Sequence, residues 1–235
     1  MINISIPIVI NFSGGKDSSA MLAYICENYP LNPKHVVWAD TGWEHDGLDA
    51  WNKKLCRIWG LKLITVKPKR DFFTMALDRK MFASPSCRQC TSALKMSPIQ
   101  KWIRNNLTGE VINAMGIRAE ESKARALKSP YVIDSILSKK GRTVWNWLPI
   151  FDWSKKEVRD YLVGLGIPLH PVYDYLPRLS CQICIFSNRY NLWAIKKNNP
   201  MAIDRVAEVE DEIKFTMFPS GGIIRISRDD NCSLF

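Results

Sequence analysis

The sequence predicts an α/β protein with a doubly wound, mostly parallel, five-stranded sheet. Apolar runs alternate with amphipathic helical patterns along the first half of the chain. Such alternation implies parallel strands joined by right-handed crossovers that run through helices. At 235 residues the chain fits one large domain, or one domain with an appended tail. We expect a main domain over residues 1–190 and a cysteine-containing C-terminal extension, helical and ending in a tail, over residues 191–235.

Each predicted element follows from its residue pattern. Five apolar runs predict the strands, at residues 6–12, 35–39, 61–66, 111–115 and 144–150. Apolar residues at helical spacing predict helices over residues 17–28, 47–58, 97–105 and 202–215. Ser154, with Glu157 at the third helical position, matches a capping box and predicts a further helix. Beyond Pro168 the pattern is looser, and a short strand is expected near residues 223–226.

The charge and cysteine counts narrow the class of protein. A net charge of +10 favours anionic partners such as nucleotides, nucleic acid or acidic proteins, although a solubility surface gives the same excess. No apolar run approaches the ~20 residues that span a bilayer, so we expect no membrane partner. The apolar start, residues 1–10, lacks a basic n-region and a cleavage site and is predicted to be a strand. Seven cysteines without an export signal predict a reduced, cytoplasmic setting.

A glycine loop joins the first predicted strand to the first predicted helix. It reads Ser13-Gly14-Gly15-Lys16-Asp17-Ser18-Ser19. Glycines let the backbone approach an anion closely, and the helix N-terminus adds partial positive charge. Lys16 adds a full charge at the carboxyl end of a strand, where open α/β sheets bind ligands. The spacing differs from the Walker A loop. The pattern therefore predicts a phosphate site of another type, with a simple helix-capping turn as the alternative.

The loop resembles the PP-motif of the ATP pyrophosphatases, also called adenine nucleotide alpha hydrolases. Three further segments are similar to the PAPS and APS reductase branch of that superfamily. Residues 38–44 carry a D-T-G segment after the second strand, and residues 116–125 resemble G-x-R-x-x-x-S-x-x-R. Residues 148–153 resemble a P-L-x-x-W stretch that leads into a capped helix. Together the segments cover roughly residues 8–190, the PP-loop, PAPS reductase-like part of the chain.

The resemblance implies that the loop grips the pyrophosphate of ATP, or the matching group of a related nucleotide. We expect Lys16, Asp17 and Arg118 to be catalytic. The expected nucleotide-binding residues are Ser13, Gly14, Gly15, Lys16, Asp17, Ser18, Ser19, Asp40, Gly116, Arg118 and Arg125. Guanidinium groups suit bidentate binding of sulfate or phosphate, although the arginines also fit a solvated basic patch. Asp40 either accepts from adenine or ribose or simply ends its strand.

Two C-x-x-C pairs, Cys87 with Cys90 and Cys181 with Cys184, supply four soft ligands. Each spacing lets two thiolates converge on one metal centre, and four suit either a [4Fe-4S] cluster or Zn²⁺. The pairs are 91 residues apart, so they would meet only through the fold. Cluster-bearing relatives of the reductase group have a similar order of pairs, and the sulfur-transfer proteins of DNA phosphorothioation are such relatives. The resemblance thus favours [4Fe-4S]; zinc, or redox or structural thiols, are the alternatives.

The end of the chain departs from the reductase pattern. Sulfonucleotide reductases resemble each other in a C-terminal E-C-G-[LI]-H motif whose cysteine attacks the sulfonucleotide sulfur. Cys232 lies near the end here but lacks the flanking Glu, Gly and His. Nucleotide hydrolysis is therefore favoured over sulfonucleotide reduction.

The favoured function is cleavage of ATP at the α–β phosphate bond by an adenylating sulfurtransferase. Mg²⁺ would be the counter-ion, and a cysteine desulfurase or another protein would donate the sulfur. Nucleic acid, DNA or tRNA, is the favoured acceptor because of the net charge and the family analogy. An APS or PAPS reductase and a non-catalytic nucleotide or cluster sensor are the alternatives.

Nine tryptophans stand out, several among basic residues. Trp193 lies near Lys196 and Lys197, and Trp102 near Lys101 and Arg104. Aromatic rings beside cations suit the stacking of single-stranded nucleic acid, while burial in the core is the alternative for each.

Overall fold

The structure is a computed structural model that describes residues 3–227, except the side chains of residues 225 and 226. The strands are β1 Ile8–Asn11, β2 Lys34–Ala39, β3 Leu63–Val66, β4 Gly109–Met115, β5 Tyr131–Ile133 and β6 Arg142–Trp147. The helices are α1 Lys16–Asn28, α2 Leu48–Ile58, α3 Phe72–Arg79, α4 Gln89–Thr91, α5 Ser97–Asn106, α6 Lys123–Ala126, α7 Lys155–Gly164, α8 Arg189–Asn198, α9 Pro200–Ile213 and α10 Ile223–Ser227. A π-helical turn, Ser92–Met96, follows α4, and 3-10 turns occupy Ala119–Glu121 and Pro171–Asp174.

The strands form one sheet in the order β3-β2-β1-β4-β6-β5. β1 pairs in parallel with β2 and with β4, and the pairs β2–β3 and β4–β6 are also parallel. Only β5, antiparallel to β6, departs from this pattern. The direction of winding therefore reverses between β1 and β4. In open α/β sheets such a switch point leaves a crevice outside the carboxyl ends of the strands, where ligands bind.

Both faces of the sheet are buried. One face packs Ile8, Ile10 and Ile112 against apolar residues of α1 and α7. The alternate residues of the same strands, such as Val9 and Val111, pack with the apolar side of α5. Because side chains alternate along a strand, Ile8, Val9 and Ile10 must all be apolar for β1 to be covered on both sides. This explains the continuous apolar run that Asn11 ends.

The chain divides into two compact units. The first contains residues 1–39, 46–66 and 98–171 and holds the whole sheet. The second contains residues 40–45, 67–97 and 172–235, and its own core is built around helices such as α3, α8 and α9. The boundary expected at residue 190 falls inside the second unit. None of the helices within residues 3–227 has the length and apolar character that crossing a membrane requires.

The α/β class, the mostly parallel sheet and the five predicted strands are confirmed, and so is the capping box of α7. In that box Glu157 N donates to Ser154 Oγ at 3.1 Å, and Ser154 N donates to the Glu157 carboxylate at 2.6 Å. The sheet has a sixth strand, β5, because three exposed residues pair with the edge of β6. The expected strand at 223–226 is wrong, since this segment is helix α10. The N–H of Ile223 donates to Glu210 of α9 at 2.8 Å, which fixes the start of that helix.

A row of amide side chains crosses three neighbouring strands of the sheet, β1, β4 and β6. Asn11 Nδ2 donates to Asn113 Oδ1 at 2.7 Å, and Asn113 Nδ2 donates to Asn146 Oδ1 at 2.7 Å. Asn146 Nδ2 then donates to Asp134 at 3.0 Å. Asn113 is buried and is the only member of this row that both accepts from one neighbouring strand and donates to the other. Its amide therefore joins β1, β4 and β6 beyond the backbone ladder.

We expect Asn113→Leu to lower the free energy of unfolding by about 2 kcal/mol, because it removes two hydrogen bonds from a partly buried row and leaves Asn146 Oδ1 without its donor. Urea denaturation measures the loss. The matched control is Asn106→Leu, which removes an amide that bonds a helix carbonyl at an exposed position and should change stability by less than about 1 kcal/mol. Equal losses in the two variants would contradict a special role for the row.

Candidate nucleotide and cysteine sites

The loop between β1 and α1 presents a helix N-terminus without a side-chain cap. Gly15 is the N-cap residue of α1 and makes no side-chain cap bond. Ser18 Oγ donates to Gly15 O at 2.9 Å and accepts from Ser13 N at 3.3 Å, and the Ser13 and Ser18 hydroxyl oxygens lie 3.0 Å apart. These bonds fold the loop back on the first turn of α1. The N–H groups of that turn and the helix dipole favour an anion there.

Gly14 lies at a position that only glycine fits. Its φ is +74°, and a Cβ on it would lie 2.0 Å from Asn52 Oδ1. Asn52 of α2 is fully buried, and neither polar atom of its side chain has a hydrogen-bond partner within residues 3–227. An unpaired buried amide costs about 1–3 kcal/mol and is rare in native proteins. Packing alone therefore does not explain the amide beside the loop backbone.

Gly116 brings the end of β4 against the start of α1. A Cβ at this position would lie 3.0 Å from Asp17 O and 3.1 Å from Ser18 N. The two backbones thus meet directly, and a side chain at position 116 would separate them. This close approach places Arg118, two residues further along, beside the glycine loop.

Asp17 joins two buried cations. Its Oδ2 lies 2.7 Å from Lys16 Nζ, and its Oδ1 accepts from Arg118 Nε at 2.6 Å. Both cationic residues are less than a tenth exposed. Burial alone would lower the pKa of Arg118, but Asp17 and Glu120 outweigh it and hold that pKa above its usual value. The expected catalytic residues Lys16, Asp17 and Arg118 are thus in mutual contact.

The guanidinium of Arg118 is engaged by protein groups on two nitrogens. Besides Asp17 it binds Glu120, with Nη1 2.6 Å from the carboxylate, and the carbonyl of Trp153 at 3.3 Å. Glu120 also accepts from Lys155 N at 2.6 Å, at the start of α7. The segment after β4 is therefore fixed to the first turns of both α1 and α7. In this arrangement Arg118 orders the loops through ion pairs, and its binding to a nucleotide stays a prediction.

Arg125 lies in a more exposed setting. It forms an ion pair with Glu121, four residues earlier, and its side chain is 35% exposed. Ser122 Oγ accepts from Arg125 N at 3.2 Å and caps the short helix α6. The structure thus places Arg125 on a solvated turn, and its expected role in binding the nucleotide stays a prediction.

Asp40 is the first residue of the second unit. It accepts from Gly42 N at 3.0 Å and lies 3.2 Å from Lys67 Nζ. The neighbouring Thr41 donates through N and Oγ1 to the carboxylate of Glu44, which orders the turn. A nucleotide contact by Asp40 stays a prediction.

The turn after Asp40 holds the second cysteine pair. Trp43 Nε1 donates to Ile183 O at 3.1 Å, and Gln182 N donates to Trp43 O at 3.0 Å. Glu44 forms an isolated antiparallel bridge with Cys181. The Trp43 ring packs against Phe72 and Phe73 in the core of the second unit. The D-T-G-W-E segment therefore anchors the C-Q-I-C turn through its backbone.

Lys95 is one of two cations that approach the thiols among the described contacts. Its Nζ lies 3.8 Å from Cys181 Sγ and 3.8 Å from Glu44 Oε1. Cys181, followed by Glu44, raises the pKa of Lys95. Lys95 lies in the π-helical turn that follows Cys90, and π-bulges are frequent at functional sites. A second cation, Arg178, donates to Cys184 Sγ at 3.4 Å.

Three of the four predicted metal ligands share one environment. Burial raises the pKa of Cys181 to about 11, and Cys184 and Cys90 add to this effect. Burial, followed by Cys184, likewise raises the pKa of Cys90. Cys87 is exposed at the start of its pair. Within residues 3–227 no three His, Cys, Asp or Glu side chains converge closely enough to hold a metal ion.

The remaining cysteines lie apart from these pairs. Cys26 and Cys56 pack in or against the core of the first unit, where burial raises the pKa of each to about 11. Cys56 is buried and Cys26 partly buried, on the apolar faces that their helical positions indicate. Cys232 lies outside the described residues.

Sequence reasoning missed the side chains that link distant segments. Lys95 and Glu44 surround Cys181, and Asn52 lies against Gly14. Lys95 follows Cys90 by five residues, but a lysine at that spacing is not a known signal. Trp43 and Glu44 belong to a segment that the resemblance had linked only to the nucleotide.

Comparison with known proteins identifies the family. The model of the phosphoadenosine phosphosulfate reductase domain matches residues 7–185. An uncharacterized protein of Methanocaldococcus jannaschii is 28% identical over 195 residues, which are 83% of this chain and 39% of that protein. A phosphoadenosine 5'-phosphosulfate reductase of Buchnera aphidicola is 44% identical over 59 residues, 25% of this chain and 21% of the reductase. The chain thus spans less than half the length of these curated relatives.

Among solved structures, the U34-tRNA thiolase NcsA of Methanococcus maripaludis, with its [4Fe-4S] cluster, is similar to this chain. The TM-score is 0.48 at 20% identity, and the match covers 89% of this chain and 72% of the thiolase. At that TM-score the likeness bears on neither substrate nor cofactor.

We expect Arg118→Met to lower the free energy of unfolding by about 3 kcal/mol, because removing one partner of a buried ion pair leaves the other charge uncompensated. The matched control is Arg125→Met, which breaks a partly exposed pair and should cost at most about 1 kcal/mol. Urea denaturation measures both. A loss in Arg118→Met no larger than in the control would show that the pair with Asp17 does not hold the two loops together.

Proposed function

Because the chain belongs to the phosphoadenosine phosphosulfate reductase domain family, we propose that it is an enzyme that binds ATP on its glycine loop and cleaves it between the α and β phosphates. The observation that carries this proposal is the group Lys16, Asp17 and Arg118 at the switch point between β1 and β4. Two buried cations lie there beside the uncapped N-terminus of α1, whose N–H groups and dipole favour an anionic ligand such as a phosphate.

The loop would hold the pyrophosphate as leaving group. Its backbone N–H groups and Lys16 would stabilise the charge that develops on the β-phosphate as the α–β bond breaks. Arg118 would act mainly by positioning, since Asp17 and Glu120 already bind its guanidinium. Mg²⁺ is the expected counter-ion of the bound triphosphate. In this scheme the glycine loop stabilises the developing charge, and the ion pairs of Arg118 keep the loops ordered.

The adenylated product would then accept sulfur. An acceptor oxygen attacks the α-phosphorus, the α–β bond breaks, and pyrophosphate leaves. A sulfur nucleophile at the oxidation level of sulfide, released by a thiol reductant from the persulfide of a cysteine desulfurase or from another donor, next displaces that oxygen as part of AMP. Nucleic acid is the proposed acceptor because of the charge of +10 and the family analogy.

The cysteine pairs fit an iron–sulfur cluster by their chemistry. Cys90, Cys181 and Cys184 influence one another's charge, and Lys95 and Arg178 approach the sulfurs of Cys181 and Cys184. Cationic neighbours offset the negative charge of a thiolate-bound cluster, and a soft four-sulfur set suits iron or zinc. Cys87, Cys90, Cys181 and Cys184 would be the ligands. A bound cluster would hold or relay sulfur.

Sulfonucleotide reduction is the second candidate, favoured by the family model and by the local match to the Buchnera reductase. It would use the same loop for APS or PAPS and needs a cysteine nucleophile and a reducing partner. Cys232 is the candidate nucleophile nearest the chain end, without the flanking residues of the reductase motif.

We expect the protein to convert ATP to AMP and pyrophosphate, with a higher rate when an acceptor is present. Lys16→Ala should reduce this activity at least about 100-fold, the usual effect of removing one stabiliser of developing charge. Cys232→Ser should leave it unchanged. Chromatography of nucleotides with a pyrophosphate assay measures the products.

Release of sulfite from APS or PAPS, lost in Cys232→Ser, would instead establish the reductase. A protein that binds ATP without forming any product, with or without nucleic acid, would be a sensor.

We expect anaerobically purified protein to be brown, with broad absorption near ~400 nm and about four irons per chain. Cys181→Ser should lower the iron content, whereas Cys56→Ser, in the core of the first unit, should not. Iron analysis and absorption spectroscopy decide the matter. Colourless protein with stoichiometric zinc would contradict the cluster and establish a four-cysteine zinc site.

A further inference from the structure

Three aromatic side chains are exposed on one short stretch of the second unit. Tyr190 and Trp193 of α8 are 55% and 46% exposed, and Phe186, before the helix, is 45% exposed. The opposite side of α8, with Leu192 and Ile195, packs into the core. The exposed rings are therefore not needed to bury the helix. Large rings left in water at adjacent turns typically mark a binding surface.

Cations lie over two of these rings. The guanidinium of Arg88 is 5.3 Å from the centre of the Phe186 ring, and that of Arg178 is 5.9 Å from it. Lys197 Nζ lies 5.6 Å from the centre of the Trp193 ring. We call Arg88, Arg178, Phe186, Tyr190, Trp193 and Lys197 the aromatic–cationic surface.

The segments that form this surface contain no acidic residue. Residues 79–97 and 175–199 carry eight lysines and arginines and not one aspartate or glutamate. One of these cations, Lys95, pairs with Glu44, but Arg88, Arg178 and Lys197 form no ion pair among the contacts described within residues 3–227. The charge of the aromatic–cationic surface is therefore not that of a mixed, salt-bridged solubility surface, in which both signs are interspersed. It is complementary to a polyanion.

The combination favours single-stranded nucleic acid over a protein partner. Protein interfaces are also enriched in aromatic residues and arginine, so the unpaired positive charge, and not the rings, favours a polyanion here. A duplex hides the faces of its bases. A single strand offers both phosphates for the cations and unstacked bases for the rings, and such stacking does not depend on sequence. The aromatic–cationic surface supplies both kinds of group within a few residues.

We propose that the aromatic–cationic surface binds single-stranded nucleic acid, with bases stacked on Phe186, Tyr190 and Trp193. The surface lies beside the cysteines, because Arg178 also donates to Cys184 Sγ and Arg88 lies between Cys87 and Cys90. This inference deepens the proposed function by naming where its acceptor binds. The inference depends on the proposed function only in taking nucleic acid as the class of acceptor.

The test is fluorescence anisotropy with the full chain and labelled single-stranded DNA, single-stranded RNA and duplex DNA, without nucleotide. The single strands should bind more tightly than the duplex, and the affinity should fall with salt. Trp193→Ala and Phe186→Ala should each weaken binding about 5- to 100-fold, the range measured for loss of one stacking ring. Lys197→Ala should weaken binding and reduce its salt dependence.

The controls are Tyr131→Ala, which removes a comparably exposed ring of the first unit, and Lys62→Ala, which removes an exposed lysine there. Both should bind like the parent chain. Circular dichroism during thermal unfolding checks that each variant is folded.

Failure of this inference is distinguishable from failure of the proposed function. Lys16→Ala should lose ATP cleavage and keep binding the single strand. The proposed role of the surface would be overturned if the parent protein cleaved ATP but bound no single strand. It would also be overturned if folded Trp193→Ala and Phe186→Ala bound the single strand like the parent. Either result would leave the proposed nucleotide chemistry intact. Equal affinity for duplex and single strand would also overturn the role of the surface, because stacking would then contribute nothing.

Discussion

The order of the nucleotide site depends on one carboxylate. Asp17 lies between Lys16 on its own loop and Arg118 on the loop after β4, 101 residues along the chain. Two buried cations so close together would repel each other, and a shared anion makes their proximity stable. The close approach at Gly116 allows this contact, and the switch in strand order brings the two loops to neighbouring strands.

Sequence reasoning located the elements whose signal is local. The strands of the sheet were predictable because full burial requires unbroken apolar runs, as in Ile8, Val9 and Ile10 of β1. β5 was not, since Tyr131–Ile133 is short and exposed and is a strand only because β6 offers an open edge. α10 was misassigned because an apolar run of four residues fits either type of element. Glu210, from a neighbouring helix, decides it.

In the candidate sites, too, local features were predictable and long-range contacts were not. The glycine loop and the two C-x-x-C pairs could be recognised from their residue types, but the side chains that contact them could not be predicted. No local pattern shows that Arg118 binds Asp17, or that Lys95 lies near Cys181, 86 residues later. The D-T-G-W-E segment was connected with the nucleotide by family likeness. Its hydrogen bonds show a second task, which is to hold the turn of the second cysteine pair.

The environment of two of the paired thiols, Cys90 and Cys181, does not suit a free nucleophile. Nucleophilic cysteines have a lowered pKa, whereas burial raises the pKa of Cys181 to about 11 and also raises that of Cys90. Lys95, held by Glu44, counteracts burial only in part. If several thiolates bound an anionic centre here, the positive charge of Lys95 would offset the negative charge of that centre within the second unit. The cysteines and the glycine loop lie in units with separate cores.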